Sequence, residues 1–208
     1  MSELVETAFP LFPLALVALP GEFVPLHIFE PRYRTMIAEC LDHDRQLGIV
    51  WLADDELKPI GCAVAIERVL ERRDDGRLNI LTKGTRPFSL LERQDDLPYP
   101  AGTVRFLEDL DEPPDEAAGS AAREAYAALV LDATDNAPDP ERLAAMTAYE
   151  MAATIEFGLE AKQGLLELRS ENARLRLVAR LLRAARKRLE LIETTELRAR
   201  SNGKVRFA

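Results

Sequence analysis

Two histidines, His27 and His43, are the side chains whose type suits acid–base chemistry near neutral pH. His27 precedes Glu30 by three residues, and a histidine–carboxylate pair can transfer protons. The alternative is a hydrogen bond that fixes the corner between a strand and a helix, and we favour this structural interpretation. His43 stands between Asp42 and Asp44 at a predicted helix end, where an imidazolium interacts favourably with the helix dipole. A metal site would need more ligands than these three residues supply.

Three acidic clusters and two cysteines are the remaining candidates for metal binding. The clusters, 54–56, 74–75 and 95–96, lack the regular D-x-D-x-D-G spacing of calcium loops, so we predict solvated turns. Cys40 and Cys62 lack the C-x-x-C spacing of zinc and redox sites, and each lies within an apolar pattern. The sequence therefore predicts no metal, no cofactor and two buried free thiols.

The sequence contains no recognisable nucleophile or phosphate-binding loop. A G-x-x-x-x-G-K-[ST] motif is absent, since 83–85 only scrambles its letters and Gly203-Lys204 is followed by valine. None of the serines lies in a nucleophile context: these are Ser2, Ser89, Ser120, Ser170 and Ser201. We therefore predict no catalytic residues and a protein that is not an enzyme.

The charge of the chain is unevenly distributed. The 208 residues carry a net charge of −9, yet residues 169–208 contain twelve basic and four acidic side chains. An acidic body repels nucleic acid, whereas this basic segment could attract it. The alternative is an ordinary solvated helix face, and we favour it.

The termini and hydropathy place the chain among water-soluble proteins. No run of 18 apolar residues is long enough for a membrane span. The apolar residues 8–20 are preceded by Glu3 and Glu6 and interrupted by three prolines, so a signal peptide is not expected. We expect a cytoplasmic protein that makes no contact with a membrane.

Residues 8–109 are predicted to form mainly strands, interrupted by one helix. Pro31 suits the first turn of that helix, and six apolar residues share one of its faces: Phe29, Tyr33, Met36, Ile37, Cys40 and Leu41. Asp75-Gly76 predicts the turn of a hairpin. The predicted strands are 9–19, 23–28, 46–52, 61–70, 78–81, 86–92 and 102–107.

An acidic, proline-containing stretch, 109–119, is predicted to be a linker, and helices are predicted after it. These helices are 121–131, 140–157 ended by Gly158, 159–168, and a last helix capped by Ser170. The last one carries a seam of apolar residues: Leu175, Val178, Leu182, Ala185, Leu189 and Ile192. The fold class predicted is α+β, with a β-lobe over 1–110 and a helical lobe over 111–208.

Two separated stretches resemble the N-terminal, substrate-binding domain of Lon proteases. The first comprises 10–13 (PLFP), Pro20-Gly21 and 25–33 (PLHIFEPRY), and the second comprises 159–168 (LEAKQGLLEL) with Tyr149-Glu150 before it and Arg174-Leu175 after it. The resemblance implies a bent, PUA-like β-lobe with a C-terminal helical bundle. The tail 201–205 (SNGKV) is similar to endings of free-standing bacterial members, so we expect a complete chain without the motor and peptidase domains.

The resemblance also implies a function, namely binding of unfolded or apolar polypeptide segments. The aromatic residues proposed to line a peptide groove are Phe23, Phe29, Trp51 and Phe88, although for any single one of them we favour a core position. Such a groove could bind a peptide either by pairing at an edge strand or through side-chain pockets. An adaptor role, with a separate protease as a partner, and a monomer or weak dimer are further expectations. The rival hypothesis is RNA binding through Arg180, Arg183, Arg186, Lys187 and Arg188.

Overall fold

A computed structural model describes residues 4–94 and 96–202 of the chain. The chain divides into two compact units. Met1–Glu112 and Tyr149–Glu171 form the β unit, and Pro113–Ala148 and Asn172–Ala208 form the helical unit. The predicted boundary at 110/111 lies close to the first crossing, but residues 149–171 return to the β unit. They do so because their helix bonds to a strand: the Gln163 side-chain amide donates to the carbonyl of Ile60 at 3.1 Å.

The β unit contains seven strands and three helices within the described residues. Helix α1 (Pro31–Asp42) follows β2, while α4 (Ala148–Ala153) and α5 (Leu159–Glu167) come late in the chain, with Ala148 assigned to the other unit. The strands are β1 (Val5–Leu14), β2 (Phe23–Ile28), β3 (Leu47–Ala53), β4 (Glu56–Leu57), β5 (Ile60–Arg72), β6 (Leu78–Gln94) and β7 (Ala101–Phe106).

Five of the strands close into a barrel. The pairing order is β1-β7-β6-β5-β3, and β1 also pairs in parallel with β3, which returns the sheet to its start. The barrel interior is filled by aromatic rings: Phe9 meets both Phe88 and Phe106 edge-on, with ring centroids 5.6 Å apart in each pair. Gly48 and Gly61 are required here because a Cβ at either position would come within 2.6 Å of the Phe88 ring.

The strand predictions are largely confirmed, with two corrections. The first concerns the strand predicted over 9–19, because β1 spans Val5–Leu14 and residues 15–19 lie outside it. The boundaries of β2 are those predicted, and the turn before β6 contains Gly76 at a φ of 82°. Strands 78–81 and 86–92 were predicted as separate, but β6 runs unbroken for 17 residues. Gly84 allows this continuity because it lies against the carbonyl of Leu19, leaving no room for a Cβ.

Helix α1 buries part of its predicted apolar face. Tyr33, Met36, Ile37 and Cys40 are buried, whereas Leu41 is half-buried. Phe29 precedes the helix and is 58% exposed, so its assignment to the buried face was wrong. The helix begins at a proline, whose fixed φ suits the first turn and whose missing N–H leaves no hydrogen bond unmade.

The helical unit contains three helices in its described part. They are α2 (Glu116–Thr134), α3 (Pro140–Ala145) and α6 (Glu171–Asn202), whose first residue belongs to the β unit. The single helix predicted over 140–157 is wrong, because Met146 is extended at a ψ of 132° and separates α3 from α4. Gly158 does not end a helix but is the N-cap residue of α5.

The apolar seam of α6 is packed in its first half only. Leu175, Val178 and Leu182 are buried, Ala185 and Leu189 are half-buried, and Ile192 is 48% exposed. Helix α6 is joined to the α2 segment by ion pairs, among them Arg186 with Asp132 at 2.6 Å. The α+β fold class, with a largely antiparallel sheet and a C-terminal helical region, is therefore confirmed. None of the described helices is long and apolar enough to cross a membrane.

Candidate functional site

An apolar groove of about 460 Å³ lies on the β unit. Four elements form it: the end of β1, the β2–α1 corner, the β3–β4 hairpin, and the segment that joins β6 to β7. Its apolar residues are Leu11, Phe12, Pro13, Leu14, Ile28, Phe29, Tyr33, Leu52, Leu57, Pro100 and Ala101, and its polar residues are His27, Glu30, Arg32, Asp55 and Arg93. A concave, mostly apolar surface with a few polar groups at its edge is typical of a binding site.

The base of the groove is aromatic. The rings of Phe12 and Tyr33 have centroids 4.2 Å apart, and both side chains are buried. The Arg32 guanidinium lies 4.6 Å from the centre of the Tyr33 ring, and its charge is paired with Glu30 at 2.9 Å. Burial raises the pKa of Tyr33, and the nearby Arg32 charge opposes this effect, so the phenol stays neutral at physiological pH.

The rim of the groove at the β2–α1 corner is formed by Phe29. This side chain is 58% exposed and stacks on the ring of His27, with centroids 5.8 Å apart. An exposed aromatic ring held by a neighbour is a rigid contact surface that loses little entropy on binding.

The opposite wall of the groove is the β3–β4 hairpin. Leu52 and Leu57 face each other across the two strands and both line the groove. Asp54 and Asp55 form the turn at φ values of 47° and 66°, the left-handed conformation that a tight hairpin requires. The predicted acidic turn is thus confirmed, and its role is to position the two leucines.

A second, shallower recess continues the apolar surface. It has a volume of about 410 Å³, and its residues are Glu56, Leu57, Pro59, Leu90, Leu91, Glu92 and Arg93. Leu57 and Arg93 line both recesses. Leu91 is 45% exposed, so an extended segment could pass from one recess to the next along apolar side chains.

His27 is held by a hydrogen bond across the sheet. Its Nδ1 atom lies 2.6 Å from Oδ1 of Asn79, whose Nδ2 atom in turn donates to Glu71 at 2.5 Å. The donation to Glu71 turns the Asn79 oxygen towards His27, so Nδ1 carries the proton. Glu30 is paired with Arg32 instead, which supports the structural interpretation of His27.

The four aromatic residues proposed from the sequence do not converge on one site. Phe29 lines the groove, while Phe23 is 55% exposed at the other end of β2, with the Lys83 ammonium 5.3 Å from its ring. Trp51 is half-buried on β3, next to the Lys58 ammonium at 5.6 Å. Phe88 has no exposed surface and forms the barrel core, so no ligand reaches it in this structure.

Sequence reasoning missed most of the residues that form the groove. The sequence predicts Phe12 and Leu14 only as part of a strand, and Tyr33 only as part of the apolar face of a helix. Leu52 and Leu57 carried a local signal, since apolar residues on both sides of an Asp-Asp turn predict a short hairpin with a shared face. The convergence of β1 and α1 has no such signal, because it depends on closure of the barrel.

The remaining candidate side chains, His43 and the two cysteines, have contacts or burial typical of structural residues. His43 lies at the end of α1, with its Nδ1 atom 3.0 Å from the carbonyl oxygen of Glu39. Both cysteines are buried free thiols, as predicted, and burial raises the pKa of Cys62 to about 12. Over residues 4–94 and 96–202, the structure shows no group of three or more side chains that could hold a metal.

The basic residues proposed for RNA binding are partly engaged within the helical unit. Arg183 donates to the carbonyl of Ala121 at 3.4 Å, and Arg186 is paired with Asp132. Arg180, Lys187 and Arg188 are exposed. Two of the five residues proposed for RNA binding therefore have contacts within the helical unit.

The fold is a barrel domain with an apolar groove on its surface, and its relatives are Lon proteins. The family model of the ATP-dependent protease La (LON) substrate-binding domain matches residues 8–184. The chain belongs to this family, as the resemblance in its sequence predicted.

Known proteins agree with this assignment. Lon protease 1 of Hydrogenovibrio crunogenus is 27% identical over 216 residues, which cover 92% of this chain and 25% of that protein. Lon protease of Parabacteroides distasonis is 29% identical over 116 residues, or 51% of this chain and 14% of that protein. The chain thus spans at most about a quarter of the curated relatives it matches.

Two solved structures share the fold. The crystal structure of a Lon N-terminal domain protein from Xanthomonas campestris superposes with a TM-score of 0.61 at 25% identity, covering 80% of this chain and 94% of that one. The N-terminal domain of Lon protease from the Mycobacterium avium complex gives a TM-score of 0.58 at 18% identity, covering 84% and 97%. At 18% identity this second match shows only that the two proteins share a fold.

Proposed function

We propose that this protein is a non-catalytic module that binds extended apolar segments of other polypeptides in the groove described above. The observation that carries the proposal is the apolar groove with the exposed Phe29 at its rim, in a chain whose family is described as a substrate-binding domain. The base of Phe12 and Tyr33 offers a neutral aromatic surface, which suits aliphatic and aromatic side chains.

We further propose that the role is that of an adaptor or client reader, which requires no chemistry of its own. The sequence lacks a phosphate-binding loop, and the nearest histidine–carboxylate candidate, His27 with Glu30, is engaged in other pairs. Handover of the bound segment to a separate protease fits this role.

The test is binding of a permanently unfolded protein, such as a reduced and carboxymethylated one, compared with a short RNA of similar charge. Apolar contacts change little between low and moderate salt, whereas phosphate contacts weaken steeply. Salt-tolerant binding of the polypeptide, without cleavage and without ATP hydrolysis, is the result expected. No binding to any unfolded protein would remove the proposal.

The same experiment addresses the rival function. If RNA bound in a salt-sensitive manner and the polypeptide did not bind, the proposal would be replaced by RNA binding through α6. Its exposed residues Arg180, Lys187 and Arg188 would then contact the phosphates. Because Arg186 already bonds to Asp132 and lies within 3.7 Å of Glu190, we expect weak RNA binding at most.

A further inference from the structure

Three strands that border the groove have a side without a strand partner among the described residues. β2 pairs only with β6, β4 pairs only with β3, and the pairing of β1 with β7 ends at Pro10. Such sides are where an incoming polypeptide adds to a sheet as a further strand, if its backbone finds donors and acceptors there.

The unpaired end of β1 presents a proline at the groove. The N–H of Leu11 donates to the carbonyl of Pro100 at 2.8 Å, so Leu11 faces the β7 side. Backbone groups alternate along a strand, and Pro13 is therefore the next residue that faces this side. Proline has no N–H, so the end of β1 offers no donor at that position.

The unpaired side of β2 also has a proline at its centre. The carbonyl of Glu22 accepts from the N–H of Gly84 at 2.9 Å, and that of Val24 accepts from the Thr82 hydroxyl at 2.9 Å. Even-numbered residues of β2 thus face β6. Pro25 faces the unpaired side and supplies no donor there.

The third strand, β4, contains only two residues, Glu56 and Leu57, and is too short to align a partner strand. Each of the three places where the sheet could grow next to the groove is thus short or interrupted. On β2, Pro25 breaks the row of N–H donors between Phe23 and His27. The side chains of the groove, in contrast, are apolar and accessible at Phe29 and Leu52, as is Leu91 in the neighbouring recess.

We infer that the groove holds its polypeptide through side-chain contacts alone and does not add it to the sheet. The inference rests on the proposed function and specifies its ligand class: extended segments with large apolar side chains, in which backbone donors are dispensable. Proline-containing segments belong to this class, because they keep their side chains and lose only N–H groups.

The experiment uses a fluorescein-labelled peptide of roughly 12 residues, with Phe and Leu at every second position and Ser and Gln between them, since such a peptide spans about 40 Å when extended. Two further peptides carry backbone esters in place of amides, one at about three odd positions and the other at about three even positions. Esters remove N–H donors and leave the side chains unchanged. Binding is measured by fluorescence anisotropy with the full chain.

Affinities of the two ester peptides within about twofold of the parent are the result expected. Strand addition uses the N–H groups of alternate residues. If it occurred, one of the two ester peptides would bind at least about tenfold more weakly than the parent, and this result would overturn the inference. If the parent peptide and the unfolded protein both failed to bind, the proposed function itself would fall. The two failures are therefore distinguishable.

Discussion

The ammonium of Lys162 lies 2.6 Å from the carboxylate of Glu22, although 140 residues separate them in the sequence. Glu22 belongs to the turn before β2 and also accepts the N–H of Leu19 at 2.9 Å, while Lys162 belongs to α5. Their side chains are only 18% and 11% exposed, respectively. The pair therefore ties the late helix α5 to the strand that carries the groove rim.

This pair is expected to stabilise the β unit. Glu22→Gln or Lys162→Met leaves one charge poorly solvated, so each single change should lower the free energy of unfolding by about 2 kcal/mol. The double variant should recover part of this loss. Urea denaturation of the unchanged protein, the two single variants and the double variant forms a double-mutant cycle. We expect the coupling energy from this cycle to exceed about 1 kcal/mol.

A matched control exists on the surface. Arg77 and Asp75 are also 2.6 Å apart, but their side chains are 46% and 47% exposed. The same cycle on this pair should give a much smaller coupling, because water and salt screen it. Equal couplings for the two pairs would contradict the argument that burial gives the Lys162–Glu22 pair its strength.

Phe29 should contribute to polypeptide binding without contributing to stability. Phe29→Ala is expected to weaken binding of an apolar peptide about fivefold to thirtyfold, since truncation of an aromatic contact residue commonly costs about 1–2 kcal/mol. The melting temperature should change by less than about 2 °C, because the ring is largely exposed. Fluorescence anisotropy and a thermal melt measure the two quantities.

Leu110→Ala is the control for this change, because Leu110 is 55% exposed on the same unit and does not line the groove. It should bind the peptide as the unchanged protein does. Equal weakening by Phe29→Ala and Leu110→Ala would mean that binding is not localised to the groove.

Cys62 should make stability depend on alkaline pH. Burial raises the pKa of its thiol from 9.0 to about 12, so between these values the unfolded chain releases a proton that the folded chain retains. Stability is therefore unaffected below about pH 9 and falls as pH rises above it. Between pH 9 and 10 the loss should be about 1 kcal/mol.

The comparison with Cys62→Ala isolates this effect, because Tyr99 and Cys40 also have raised pKa values and are unchanged in the variant. Urea midpoints at pH 8, 9 and 10 should fall less steeply for the variant. Parallel pH profiles would show that the thiol ionises equally in both states.

Pro13 and Pro25 should limit self-association. The double change Pro13→Val and Pro25→Val restores an N–H at each unpaired strand side, so the variant should form dimers or larger species at lower concentration. Sedimentation velocity over a concentration series measures this. Pro114→Val, at an exposed position outside the strands, should behave as the unchanged protein, and an unaltered double variant would argue that these sides are covered.

Local patterns predicted the elements that local chemistry determines. The Pro-Gly turn and Pro31 frame β2 and α1, and Asp75-Gly76 marks the hairpin turn, because each of these residues restricts backbone angles on its own. The continuity of β6 was not predictable, since Gly84 is required by the distant carbonyl of Leu19. In a sequence, such a glycine is indistinguishable from one that breaks a strand.

The candidate site was only partly predictable for the same reason. Phe29 and Phe88 both lie among apolar residues in the sequence, yet one is 58% exposed and the other is completely buried. Closure of the barrel decides between them, and that closure depends on the parallel pairing of Leu11 with Gly48, 37 residues apart. No local pattern records a contact at that separation.

The pairing of β1 with β7 also determines how much of the chain must be synthesised before the barrel and its groove can form. Val5 pairs with Arg105, and the groove uses residues from Leu11 to Ala101. A nascent chain on the ribosome thus cannot close the barrel, and has no groove, until more than 100 residues have emerged. Until then its own first strand is an exposed apolar segment of the kind that this protein is proposed to bind.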